Sequence, residues 1–339
     1  MTSPPETQQR QTLPILQWRE ATEALNNAQR ILIVTHINPD GDAIGSMLGL
    51  GNQLRHRGKD VTTAVDAGVP GYLAFLPGAD AVVAEVTSGD WDLLITTDAS
   101  DEARIGEAGA YGMAHSQQII NLDHHVTNTQ FGDIHLINGD AVSATEIVFD
   151  WWRQAQYAIN HDVALPLLTG LVTDTLGFRT SSVTASTLEI AQQLMQAGAS
   201  LSAVTARTLD SRPYEVVRLW KQALPSTQLD GQVIHATVSL ADAEQAGLDE
   251  TTEAGLVGFL IRVEEARIAI VFKEKPDNTV EISMRAKLGY DVAQVAFELG
   301  GGGHKQAAGA SITGSLSEVK RRVLPLLHQA VSAGQLIIE

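Results

Sequence analysis

Cysteine is absent from the 339 residues. That excludes disulfides and thiolate metal sites, so any bound metal must be held by carboxylate and imidazole. No apolar run is long enough to span a bilayer, and the opening MTSPPETQQRQT has no signal-peptide core. No membrane partner is expected, and a cytoplasmic location follows by default. Basic residues are scarce: 23 Lys and Arg stand against 40 Asp and Glu, for a formal net charge of −17. Long-duplex binding needs a broad cationic surface, and this balance argues against it. A small anionic substrate stays open, because a metal cluster and a few arginines can reverse the field inside one cleft.

What is present is ordinary globular material. Apolar residues make up 44% and charged residues 19%, enough for sizeable cores, and the length predicts two domains. Residues 1–16 lack periodicity and read as a flexible arm. From there short β-branched runs alternate with helical patterns. ILIVT (31–35), VTTAV (61–65), LLITT (93–97) and IINL (119–122) read as strands, and 43–57, 142–157, 167–172 and 184–197 as helical stretches. This rhythm predicts an α/β domain over 17–205, a mainly parallel sheet flanked by helices. The polar stretch 206–222, with Pro213, reads as a linker. Beyond it, 223–339 predicts a smaller mixed α/β domain, with strands at 233–240, 266–272 and 279–285 and helices at 251–262, 291–299 and 315–333.

Three of the predicted strands end in acid or imidazole. T-H-I-N-P-D-G-D-A (35–43) puts His36, Asp40 and Asp42 where a strand gives way to a helix. In open parallel sheets ligands bind at this end, and His with Asp suits Mn²⁺, Mg²⁺ or Zn²⁺. Taken alone, the segment reads equally as an Asx-rich turn with Asp42 capping the helix. Asp98 follows LLITT, and Asp123-His124-His125 follows IINL. Crowded carboxylates repel one another unless a cation compensates them, so the recurrence points to one metal site. Asp174 in G-L-V-T-D-T joins the set; its plainer reading is a helix-terminal residue. In the second domain Gly300–Gly303 precede His304 and Lys305. The run reads as backbone for close approach to a ligand, or as a flexible turn. Arg285 suits a phosphate contact or a solvated strand end. Trp151 and Trp152 read as packing residues.

As an ordered set, H-I-N-P-D-G-D-A-I-G-S, the Asp98 strand end, D-H-H, G-L-V-T-D-T and G-G-G-G-H-K-Q-A-A-G resemble the DHH phosphoesterases with a C-terminal DHHA1 domain. The nearest likeness is to the oligoribonuclease (nanoRNase) and 3′-phosphoadenosine 5′-phosphate phosphatase subgroup. The resemblance implies a catalytic DHH domain, a substrate-binding DHHA1 domain and a cleft between them. It implies two divalent ions, Mn²⁺ or else Mg²⁺, acting by hydroxide attack on phosphorus. His36, Asp40 and Asp98 would hold one ion; Asp42, Asp98, His124 and Asp174 the other. Asp123 would orient its neighbours, and His125 would face the scissile phosphate. Arg285, Gly302, Gly303 and His304 would hold the terminal nucleotide of a short RNA or DNA oligonucleotide. Two departures stand out: Ala286 ends the family's Ser-x-Arg-Ser pattern, and Leu176 stands where glycine is frequent. Hydrolysis of a cyclic or linear dinucleotide is the alternative activity. A non-catalytic nucleotide sensor is the alternative of another class. Pairing with a second copy is left open.

Overall fold

The computed structural model describes residues 12–66, 68–248, 251 and 255–335. They form two compact units, divided between Ser211 and Arg212. Among the described residues no helix is long and apolar enough to cross a membrane.

The first unit opens with helix α1 (Ile15–Asn27), followed by strand β1 (Arg30–Thr35), α2 (Gly41–His56) and β2 (Asp60–Ala64). Then come β3 (Leu93–Thr97), α3 (Gly106–Ala114), β4 (Ile119–Asp123) and β5 (Ile134–Ile137). The unit ends in four helices, α4 (Ala144–Gln154), α5 (His161–Asp174), α6 (Ala185–Gln196) and α7 (Leu201–Thr208). All neighbouring strands run parallel, in the order β2-β1-β3-β4-β5. The central strands are buried on both faces, which is why they read as continuous apolar runs. Ile31 and Ile33 of β1 pack with Trp18, Ile44, Trp151, Trp152 and Leu167; Leu32 and Val34 face Trp91, Ile105 and Phe131 on the other side. Both tryptophans are fully buried, as packing residues should be.

Two arrangements set up the carboxyl end of this sheet. The strand order reverses at β1, so the crevice between β1 and β3 is the switch point at which open α/β sheets bind ligands. Thr35 pairs with Thr97, and Thr97 with Leu122, so the next residues of each strand, His36, Asp98 and Asp123, emerge side by side. Helix α2 packs on α5 through Gly41, Gly45 and Gly49, one per turn. A Cβ on Gly45 would lie 2.5 Å from the Pro166 carbonyl oxygen. That closeness brings Asp42 and Asp174 to one place.

The second unit carries α8 (Tyr214–Ala223), β6 (Gln228–Asp230), β7 (Val233–Val238), α9 (Leu240–Ala246) and α10 (Leu256–Leu260). It continues with β8 (Ile268–Glu274), β9 (Thr279–Ala286), α11 (Ala293–Glu298), β10 (Gly302–His304), β11 (Ala307–Thr313) and α12 (Leu316–Ala333). Its six strands run in the order β10-β11-β9-β8-β7-β6, antiparallel except for the β7–β8 pair. Leu219 and Ala223 of α8 and Leu256, Val257 and Leu260 of α10 cover one face. Val295 and Ala296 of α11 and Val319, Val323 and Leu327 of α12 cover the other.

The structure corrects the sequence reading at the arm, the linker and the glycine run; residues 1–11 of the arm and 252–254 of the helix read at 251–262 lie outside the described residues. Residues 15 and 16, assigned to the arm, are the first turn of α1. The stretch assigned to a linker is largely helical: 206–208 end α7 and 214–222 lie in α8. Pro213 stands just ahead of α8, where proline starts helices well, and the exposed polar face masks the buried Leu219. The glycine run is partly strand. A Cβ on Gly301 would meet the Gly309 carbonyl oxygen at 2.1 Å, and one on Gly303 the Ala307 carbonyl oxygen at 2.4 Å. Close approach of β11 is thus one reason these positions are glycine.

Candidate metal centre

His36 follows β1 and is 5% exposed. Its Nδ1 meets the Ile37 carbonyl oxygen at 2.7 Å, which assigns the proton to Nδ1 and leaves Nε2 as the free ligand atom. That Nε2 lies 3.5 Å from Asp98 Oδ2. Asp40 caps α2, its Oδ1 accepting from the Asp42 and Ala43 backbone N–H groups at 3.0 and 3.1 Å. The alternative reading gave this capping role to Asp42. Asp42 instead accepts from Ala144 and Thr145 N–H, at 2.6 and 2.9 Å, at the start of α4 a hundred residues on.

Asp98 directly follows β3 with φ +56°, a left-handed conformation uncommon outside glycine and concentrated at functional sites. His124 offers Nε2 to three carboxylates: Asp174 at 3.4 Å, Asp98 at 3.5 Å and Asp42 at 3.9 Å. One ligand atom from each of His36, Asp40 and Asp98 lies within 4.8 Å of the others. The same holds for Asp42, His124 and Asp174, and for Asp98, His124 and His125.

At 3.4–3.9 Å these separations are longer than good hydrogen bonds. Two donors about 2.1 Å from a shared cation, at right angles or a tetrahedral angle, stand about 3.0–3.4 Å apart. Asp98 Oδ1 is buried without a hydrogen-bond partner, the mark of an acceptor built for something else. The electrostatics agree. Burial pushes Asp42 up to about 7, with the charges of Asp98 and Asp40 adding to it. Burial and Asp42 raise Asp174 well above the carboxylate range. Burial opposes charge on His124, but Asp98, Asp42 and Asp174 raise it to about 10. His36 is raised too, contacts with Asp98 and Ile37 outweighing its burial. Asp98 alone is held low, because His124 and His36 overcome its desolvation. Without cations, protons take their place.

Asp123 is fully buried behind this cluster. Its Oδ1 accepts from His125 Nδ1 and from the His124 backbone N–H, each at 2.8 Å. Its Oδ2 accepts from Asn128 Nδ2 at 2.6 Å. Asn128 went unnoticed in the sequence, where an Asn after His-Val-Thr looks like a turn residue. Its signal was a position three residues after His125. Leu176 is left-handed, φ +50°, and exposed, a backbone state for which glycine is the natural residue.

In the second unit, Arg285, Ala307 and His304 pair in register across β9, β11 and β10 and so share one face. Ser283, Gly309 and Gly302 form the next row. The small residues leave a flat floor. Arg285, Ser283, Gly302, Gly303 and Ser311 line a shallow pocket of about 480 Å³ there. Ala286 points to the other face, into the core with Met284 and Ile282. The hydroxyl missing from the Ser-x-Arg-Ser pattern is therefore a core position, not a pocket contact.

A parallel sheet with carboxylates and imidazoles converging at its switch point, joined to a unit whose shallow, glycine-floored pocket is lined by Arg285 and Glu281, is the layout of a metal-dependent phosphoesterase. Residues 30–171 match the DHH family, N-terminal domain, and residues 230–333 the DHHA1 domain. The bifunctional oligoribonuclease and PAP phosphatase NrnA of Thermus thermophilus is 34% identical over 89% of this chain and 90% of its own length. NrnA of Bacillus subtilis is 28% identical over 83% and 89%. An exopolyphosphatase-related protein from Bacteroides fragilis has the same fold, with a TM-score of 0.85, 22% identity, and coverage of 96% of this chain and 98% of that one. The chain belongs to the DHH family, with a DHHA1 domain, and is a hydrolase of phosphate esters.

Proposed function

We propose that this protein degrades short oligoribonucleotides and dephosphorylates 3′-phosphoadenosine 5′-phosphate, using two divalent ions at the carboxyl end of the first unit's sheet. The observation that carries this is Asp98: buried, with an unpartnered oxygen, grouped with His36 and Asp40 on one side and with His124 and His125 on the other. The activities named for the Thermus and Bacillus relatives support the substrate class.

His36, Asp40 and Asp98 would hold one ion, and Asp42, Asp98, His124 and Asp174 the other, with Asp98 shared. Oxygen and imidazole donors without thiolate favour Mn²⁺, with Mg²⁺ as substitute. Such ions supply Lewis acidity, drawing a proton from water near neutral pH and neutralising phosphate charge. His125 donates inward through Nδ1, so Nε2 is the nitrogen it offers to the phosphate. Arg285 and His304 bind the phosphate of the terminal nucleotide, and Gly302 and Gly303 let its backbone approach closely. We assign the DHH unit to chemistry and the DHHA1 unit to nucleotide binding.

Selection for short substrates follows from charge. A surface carrying −17 overall repels a long polyanion, while the ions and a few basic groups attract one or two phosphates; the repulsion is screened over about 8–10 Å at ordinary salt. The test is a Mn²⁺-dependent assay on a 5′-labelled RNA length series, 3′-phosphoadenosine 5′-phosphate and a cyclic dinucleotide. The expected result is a kcat/KM highest at two to about five nucleotides, with turnover of the bisphosphate and loss of both in chelator. Efficiency that climbs steadily with length would overturn the short-substrate reading. Preference for the cyclic dinucleotide would transfer the activity to the alternative.

A further inference from the structure

Behind His125 lies a chain of hydrogen bonds that ends in a residue with no role so far. Asp123 fixes His125 through Oδ1, but its Oδ2 is served by one side chain, Asn128, at 2.6 Å. Nothing about the Asn128 amide is free to turn. Its Oδ1 accepts the Gln130 backbone N–H at 2.6 Å and Asn121 Nδ2 at 3.1 Å. That leaves Nδ2 to face Asp123, with the Ala99 carbonyl oxygen at 3.2 Å and Asn121 Oδ1 at 3.4 Å as its further acceptors. Gln130 takes a left-handed φ of +58°, a conformation costly for a side chain of its kind. Asn121 is buried on β4, two residues before Asp123 and on the same side of the strand.

A fully buried carboxylate needs donors on both oxygens. Without Asn128, Asp123 would turn to seek another donor, and the His125 ring would lose its fixed partner. We propose that Asn128 is a positioning residue, which through Asp123 holds the His125 ring with Nδ1 donating inward and Nε2 presented to substrate. The proposal rests on the role given to His125 above.

Three measurements on the full-length protein test it. In the wild-type enzyme loaded with diamagnetic Mg²⁺, imidazole nitrogen NMR should find His125 protonated at Nδ1, and in Asn128→Ala that signature should move. A wild-type His125 unprotonated at Nδ1 overturns the proposal, however the variants behave. With Mn²⁺ and a dinucleotide, Asn128→Ala should lower kcat about 10–100-fold, the usual effect of losing a residue that orients a functional group. KM and the stoichiometry of Mn²⁺ binding by calorimetry should stay close to wild type. In the double variant His125→Ala/Asn128→Ala, the second change should add nothing to the first. Multiplying losses, or a loss of Mn²⁺ sites in Asn128→Ala, would mean that Asn128 acts elsewhere. His125→Ala with wild-type turnover would instead sink the role of His125 itself, a result distinct from an impaired His125→Ala beside an unimpaired Asn128→Ala.

Discussion

Removing a charge from the centre should stabilise the metal-free protein, and Asp42→Asn isolates the effect. Asp42 is buried beside Asp98, and its carboxyl is raised from an ordinary 3.8 to about 7. The folded form thus binds this proton more tightly than the unfolded chain does. Its stabilisation is complete below pH 3.8 and is lost as pH rises through about 7. At pH 8 the penalty of the ionised group is on the order of 4 kcal/mol; at pH 5 it is less than half of that.

Asparagine abolishes that penalty but has one acceptor oxygen where the carboxylate has two. Either Ala144 N–H or Thr145 N–H then loses its partner, at about 1–3 kcal/mol. Part of the His124 interaction is lost as well. In chelator at pH 8 the gain wins by about 1–3 kcal/mol; at pH 5 the two terms roughly cancel. At about 2–4 °C per kcal/mol for a unit of this size, the difference in Tm between variant and wild type should grow by about 5–10 °C from pH 5 to pH 8. Saturating Mn²⁺ at pH 8 should reverse the order, since only the wild type keeps this ligand. A chelated Asp42→Asn that melts below wild type at pH 8, or a Tm difference equal at both pH values, would refute the reasoning.

Asp98→Ala should cut Mn²⁺-dependent turnover by at least about 10³-fold; near-wild-type rates with saturating Mn²⁺ would sink the two-ion assignment. Gly170→Ala puts a Cβ 2.6 Å from Asp42 Oδ1 and 2.4 Å from Thr145 Cγ2. Denaturant melts should find about 1–3 kcal/mol lost, and calorimetry weaker Mn²⁺ binding; an unchanged melt would mean that α2 and α5 are not rigidly spaced. Leu176→Gly removes a left-handed strain of about 1–2 kcal/mol against a glycine cost of about 0.5–1, and its exposed side chain gives up little burial. A Tm about 1–4 °C higher is expected, and a lower one would mean that the exposed leucine has a contact of its own.

The convergence of the candidate ligands was legible because it comes from strand ends. Short β-branched runs closing in His36, Asp98 and Asp123 could be read directly, and a parallel sheet lines such ends up by register alone. What escaped depends on partners far along the chain. Asp40 and Asp42 look interchangeable as helix caps, and local sequence favoured Asp42. The choice turns on α4, whose Ala144 and Thr145 N–H groups already occupy Asp42 from a hundred residues away. Helix α1 hid in a polar N-terminal stretch because only Trp18, Ala21 and Leu25 face the core. A sequence also cannot show that β11 lies against Gly301 and Gly303, a packing reason for glycine beside any role toward a ligand. Asn128 is the sharpest case. Its residue type says turn, and its backbone N–H does close one, onto the His125 carbonyl oxygen at 3.1 Å. The side chain does something else, reaching the free oxygen of Asp123. Residue type and spacing identify groups that can bind a metal, but which lone pair each keeps free is settled by hydrogen bonds across the fold.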